Sequence, residues 1–147
     1  MGRTRWKGPV TRPSEPIFNV PSVVVSMIAV FGIIHAVREL ILSAQQDVEF
    51  LWLFAFIPAR YTPAVLAVDT LPGGLGADVW TFVTYALLHG DLTHLAINVI
   101  WLLPFGTAVA RRFGSARFLA LFAASAAAGA GVHLLTHPGE LLPMIGS

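Results

Sequence analysis

Three stretches of this chain lack Asp, Glu, Lys and Arg over lengths that a water-facing surface rarely tolerates. Glu15 and Arg38 bound 22 such residues, Asp91 and Arg111 bound 19, and Arg117 and Glu140 bound 22. An α-helix rises about 1.5 Å per residue, so about 20 apolar residues cross a bilayer core of about 30 Å. Each window therefore predicts a transmembrane helix. Composition agrees: 12% of residues are charged, against about 25% in a soluble domain. The expected fold class is an all-α membrane protein with spans over 20–42, 91–110 and 115–135. A cleaved signal peptide is the competing reading of the first window, with MGRTRWKGPVTRP as its basic start. Its apolar run is long for that role, and no A-x-A site follows.

Cysteine is absent and net charge is +1. The first excludes disulfides and thiolate chemistry; the second gives no reason to expect a nucleic-acid partner. No cofactor is expected, and membrane lipid is the expected surrounding.

Charge also orients the spans. Residues 1–17 form a basic tail with Arg3, Arg5, Lys7 and Arg12, and the turn between the second and third windows carries Arg111 and Arg112, with Arg117 close behind. The first connection holds Arg38 and Arg60 against Glu39, Asp47, Glu49, Asp69 and Asp78. The positive-inside rule puts the N-terminus and the 111–117 turn in the cytoplasm. Residues 43–90 and 136–146 then lie on the outer side. That outer connection is itself apolar: FLWLFAFIPA is too short to span and reads as a membrane-dipping segment. LPGGLGADVW follows as a flexible glycine-rich turn, then the short apolar piece WTFVTYALL.

At the outer mouth of the second span stands HGDLTHLAIN, residues 89–98. Asp91 or Thr93 can cap the helix. His94 and Asn98 are four apart, so they share one helix face. Polar side chains at that depth are costly unless paired or facing a hydrated cavity. Both offer neutral N–H donors, which suit a developing oxyanion. Hydrogen bonding between helices explains the same pair as packing glue. A metal site from His89, Asp91 and His94 matches no strong ligand spacing. His89 caps the loop or joins the site. His35, His133 and His137 stand apart in sequence, and interfacial placement accounts for each. In the third span, Ser125 with Gly129 and Ala127 with Gly131 suggest close helix–helix packing. Pro104 is expected to kink the second span.

HGDLTHLAINVIWLLPFG resembles the second transmembrane helix of the rhomboid intramembrane serine proteases, with His89, His94, Asn98 and Gly106 on the pattern. RRFGSARFLALF resembles the start of that family's third helix, and the connection with FIPARY its membrane-dipping first loop. PMIGS resembles the lead into the family's G-x-S-G or G-x-S-A motif, so a fourth helix would start near 144. The resemblance implies that residues 18–147 are the first half of a six-helix bundle. It further implies cleavage of a transmembrane protein substrate by a helix-four serine, with a helix-six histidine as base. His94 and Asn98 would stabilise the oxyanion, and His89 would sit at the active-site rim. The expected setting is a bacterial inner membrane.

The sequence also departs from the pattern. With Gly146 as the motif's first glycine, Ser147 is the variable position and the nucleophile is the next residue. The expectation is therefore an N-terminal fragment, inactive as it stands and poorly stable alone. Ser147 as nucleophile, with His133 or His137 as base, is a minor alternative. Ala110 stands where the family often has an acidic residue, removing a polar contact in the turn. A non-catalytic rhomboid-like membrane binding protein is the competing functional class, and an unrelated three-helix protein the blandest one.

Overall fold

In the computed structural model, which describes residues 19–68 and 71–146, Pro21 occupies the N-cap of α1 (Ser22–Leu40). Its missing N–H has no helical role there. The basic tail and the Asp69 charge lie outside the described residues. Along α1 the buried residues are Val24, Met27, Phe31, His35 and Arg38. They recur every three or four positions, a single stripe, and it packs against α5 (Leu92–Phe113). Asp91 is the N-cap of α5: its carboxylate accepts the His94 N–H at 2.9 Å. The helix is continuous from Leu92 to Phe113, with Pro104 inside it.

Gly114 alone joins α5 to α6 (Ser115–Thr136), at φ +83°. That left-handed value is why a glycine stands in a one-residue turn. Val24, Met27, Phe31, Leu95, Ala110 and Phe118 form the core between the three long helices. Ala110 is thus an apolar member of the α5–α6 seam. Gly106 keeps the same seam narrow, since a Cβ there would lie 3.4 Å from the Phe118 ring.

Outside that core most of the apolar surface of the long helices is uncovered among the described residues. Only 6% of the most apolar window of α5 is buried, 28% of α1 and 17% of α6. Ile97, Ile100, Trp101, Leu103 and Phe105 all face outward. Water would penalise that surface heavily, and hydrocarbon would not. The chain is an integral membrane protein with three helices long and apolar enough to span.

The 43–90 connection is structured throughout its described part. Ser43 and Gln46 make a reciprocal capping box that starts α2 (Ala44–Phe54). A buried extended piece, 55–57, leads into a 3-10 turn (Pro58–Tyr61) and α3 (Pro63–Val68). Gly73, at φ +95°, caps α4 (Gly74–Thr84), and a second 3-10 turn covers Tyr85–Leu87. The glycine-rich stretch is therefore the start of a helix rather than a flexible turn. Arg60 explains much of this order. Its buried guanidinium donates to the Trp52 carbonyl at 2.7 Å and the Pro72 carbonyl at 3.1 Å, and approaches the Asp78 carboxylate at 3.5 Å. One side chain ties α2, the turn before α4, and α4 itself.

The small face of α6 packs closely against another helix, as its spacing suggests, and that helix belongs to the outer connection. Ala126 and Ala130 are buried against Phe56, Tyr85 and Ala86 of the connection. A Cβ on Gly129 would lie 2.8 Å from the Tyr85 hydroxyl, whereas Gly131 has nothing within 4 Å. The small residues admit the outer loop, because α4 and its 3-10 turn need room to lie against the span.

The last described residues return to that loop. Phe56 and Met144 exchange both main-chain hydrogen bonds, at 3.1 and 2.8 Å. Residues up to Gly146 are not helical, and Ser147 lies outside the described residues.

Candidate functional site at the mouth of the second span

Helical repeat sets His94 and Asn98 one turn apart, and both are half-buried. What faces them comes from elsewhere in the chain. His89, just before α5, is 1% exposed. Its ring lies 4.9 Å from Phe31 of α1 and 5.2 Å from His94, edge-on to the latter. Arg38 holds this turn in place. It donates to the His89 carbonyl at 2.9 Å and makes a two-pronged pair with Asp47 at 2.7 and 3.1 Å. Arg38 counted in the sequence only as a loop charge. In the structure it is a buried clamp between α1, α2 and the lead into α5.

The last segment closes on the same place. Gly146 sits at φ +82°, donates its N–H to the Tyr85 carbonyl at 2.9 Å, and backs onto the His94 imidazole. A side chain at position 146 would collide with that ring. The Tyr85 hydroxyl in turn donates to the Ala126 carbonyl of α6 at 2.9 Å. The polar mouth is therefore framed by α1, the outer loop, α5 and the 144–146 segment together.

Several polar atoms here lack partners. Asn98 Nδ2, both ring nitrogens of His89, and His35 Nδ1 are buried without a hydrogen bond. A buried unpaired polar group costs about 1–3 kcal/mol, so the arrangement is not optimised for packing. Asn98 also lines a cavity of about 570 Å³ bounded by Phe31, Tyr85, Trp101, Phe122 and Gly129. Glue between helices would have satisfied Asn98 Nδ2; among the described residues nothing does.

Charge follows the same geometry. Burial, then the neighbouring His94, pushes the His89 pKa down to about 4 from 6.5, so the ring is neutral at physiological pH. Asp91 is held below the usual carboxylate range by the His94 N–H it accepts. His35, one turn beyond Phe31 on the buried stripe of α1, is itself buried with Nδ1 unpartnered.

His89, Asp91 and His94 do not gather as ligands; the one group of that kind among the described residues is His133, His137 and Glu140. There His133 Nε2 lies 3.4 Å from Glu140 Oε2.

A rhomboid domain family model matches residues 76–147, which contain α5, the lead-in from His89, and α6. YdcA of Bacillus subtilis (strain 168) is 40% identical over 83 residues, covering 54% of this chain and 41% of that protein. The rhomboid protease GluP of the same organism is 42% identical over 50 residues, 34% of this chain and 10% of GluP. The rhomboid protease GlpG of Enterobacter sp. (strain 638) is 37% identical over 49 residues, 33% of this chain and 18% of GlpG. The chain spans less than half the length of each of these relatives.

Proposed function

We propose, from the rhomboid domain match over residues 76–147 and the rhomboid relatives above, that the chain is a rhomboid family member and supplies the oxyanion-binding helix of an intramembrane serine endopeptidase acting on membrane-anchored proteins. The observation that carries this reading is Asn98 Nδ2, a buried donor with no partner on the face it shares with His94. Such a donor has its use when a carbonyl oxygen becomes an anion beside it. Hydrogen bonds to a charged acceptor are roughly twice as strong as neutral ones. The donor thus contributes more in the transition state than in the ground state, which is the requirement for catalysis. Asn98 and His94 would hold the oxyanion, and neutral His89 would pack behind His94 and keep its ring upright. The nucleophilic serine would be carried by chain following Gly146, whose backbone already lies against His94.

The orientation reading gains support from the opposite end of the bundle. Arg111, in the last turn of α5, donates to the Asn19 carbonyl just before α1. The start of α1 and the 111–117 turn thus share one side, which we assign to the cytoplasm of a bacterial inner membrane.

The test is cleavage of a membrane-anchored model substrate in liposomes by the protein with the serine-bearing segment in place, with Asn98→Ala compared against that parent. Removing one oxyanion donor costs about 10²–10³ in kcat. A loss of that size with unchanged thermal stability supports the assignment. Substrate retained but never cleaved by the parent protein would favour a non-catalytic membrane binding protein instead.

A further inference from the structure

We infer that His133, His137 and Glu140 form a binding site for a borderline divalent transition-metal ion, with Zn²⁺ the best fit, at the outer end of α6. The inference does not depend on the proteolytic reading. His133, in the last turn of α6, and His137, its C-cap, are four apart and lie side by side. Their rings lie 4.7 Å apart and 24° from parallel. The chain then reverses through Gly139, at φ +82°, which brings Glu140 back beside the helix. One nitrogen of each imidazole and a Glu140 carboxylate oxygen lie within 4.8 Å of one another. Ligands about 2.0–2.2 Å from a tetrahedral ion lie about 3.4 Å apart. The His133–Glu140 separation is already 3.4 Å. Small side-chain rotations bring in the third ligand.

Two further contacts organise the group. Thr136 Oγ1 donates to the Val132 carbonyl at 2.9 Å and lies 2.8 Å from His137 Nδ1. With its hydrogen committed to the carbonyl, the hydroxyl oxygen accepts from Nδ1–H. This leaves Nε2 as the basic nitrogen of His137 and orients the ring, as outer-shell partners do at metal sites. Glu140 is anchored through its main chain: its carbonyl accepts from the Ala59 N–H at 2.9 Å and its N–H donates to the His137 carbonyl at 3.3 Å. Two imidazoles with one carboxylate select borderline ions over Mg²⁺ and Ca²⁺, which prefer all-oxygen shells. Water completes the coordination. A bound ion would join the end of α6 to the segment that runs from Glu140 to Gly146 and, through Ala59, to the outer loop.

The experiment is calorimetric titration of Zn²⁺ into the tag-free, metal-stripped protein in detergent, with Mg²⁺ as the control ion. One Zn²⁺ per chain and no Mg²⁺ binding are expected. Glu140→Gln should weaken Zn²⁺ at least tenfold, and the double variant His133→Gln/His137→Gln at least a hundredfold. His89→Gln should leave it unchanged. Co²⁺ substitution should give visible absorption that the double variant loses. No stoichiometric Zn²⁺ binding by the parent protein would overturn the inference, with no reliance on any variant folding. So would binding that survives the double substitution, or binding lost equally in His89→Gln.

Discussion

Two pairs of histidines stand at the same end of the bundle in opposite surroundings. His89 and His94 meet edge-on, 5.2 Å apart, with His89 buried and both of its nitrogens unpartnered. His133 and His137 lie face to face, 4.7 Å apart, at the surface, the first beside Glu140 and the second beside Thr136. The buried pair, together with Asn98, carries an unrelieved cost. The surface pair carries none. An unsatisfied buried donor persists where a transient acceptor uses it, whereas satisfied surface groups require only each other or an ion. Depth and partnering distinguish the pairs; residue type does not.

The largest effect that would break this contrast is at Asn98. In the protein that carries the serine-bearing segment, Asn98→Ala should lower kcat about 10²–10³-fold while the thermal midpoint stays within a few degrees, because the side chain gives up no hydrogen bond through Nδ2. Parallel loss of activity and stability in a denaturation series would make Asn98 a packing group, like its surface counterparts.

Gly129→Ala comes next. A Cβ there would lie 2.8 Å from the Tyr85 hydroxyl and would disturb its bond to the Ala126 carbonyl. Overpacking of this kind costs about 1–3 kcal/mol, readable by denaturant titration in mixed micelles. Tyr85 also accepts the Gly146 N–H, so activity should fall with stability here, unlike in Asn98→Ala. Gly131→Ala, with open space at its Cβ, is the silent control.

The pairs should also differ in acid. The folded His89 pKa of about 4 lies below the ordinary 6.5. As pH falls, the unfolded chain takes up this proton first, so stability declines between about pH 6.5 and 4 and is flat above. Thermal midpoints across that range should show the slope in the parent protein and a reduced one in His89→Gln. The smallest effect belongs to the surface pair. His133→Gln without added metal should change stability by less than about 1 kcal/mol, as for other exposed ion pairs.

Much of the architecture was legible because it is written in local terms. Charge-free windows located the three spans to within a few residues, since a bilayer reads the chain one helix at a time. Asp91 as a cap, and His94 with Asn98 on one face, follow from the helical repeat. The outer connection was less legible: its glycine-rich stretch begins a helix, and Arg60 is buried among three segments. The role of Arg38 was hidden for the same reason. Arg38 reaches His89 across 51 positions, and no periodicity encodes such a contact. The H-x3-H spacing of His133 and His137 was visible, but the return of Glu140 depends on the turn at Gly139.

The sequence by itself determined a membrane protein of three spans, its polar mouth, and the donors on one face of the second span. These follow from hydrophobic transfer and helical geometry, which act over one to seven residues. Tertiary structure alone decided that Asn98 Nδ2 has no partner, that His89 is buried and neutral, and that Gly146 lies against His94. Each is a statement about which distant groups share a small volume, and only the packing of α1, the outer loop and α6 around α5 brings those groups together.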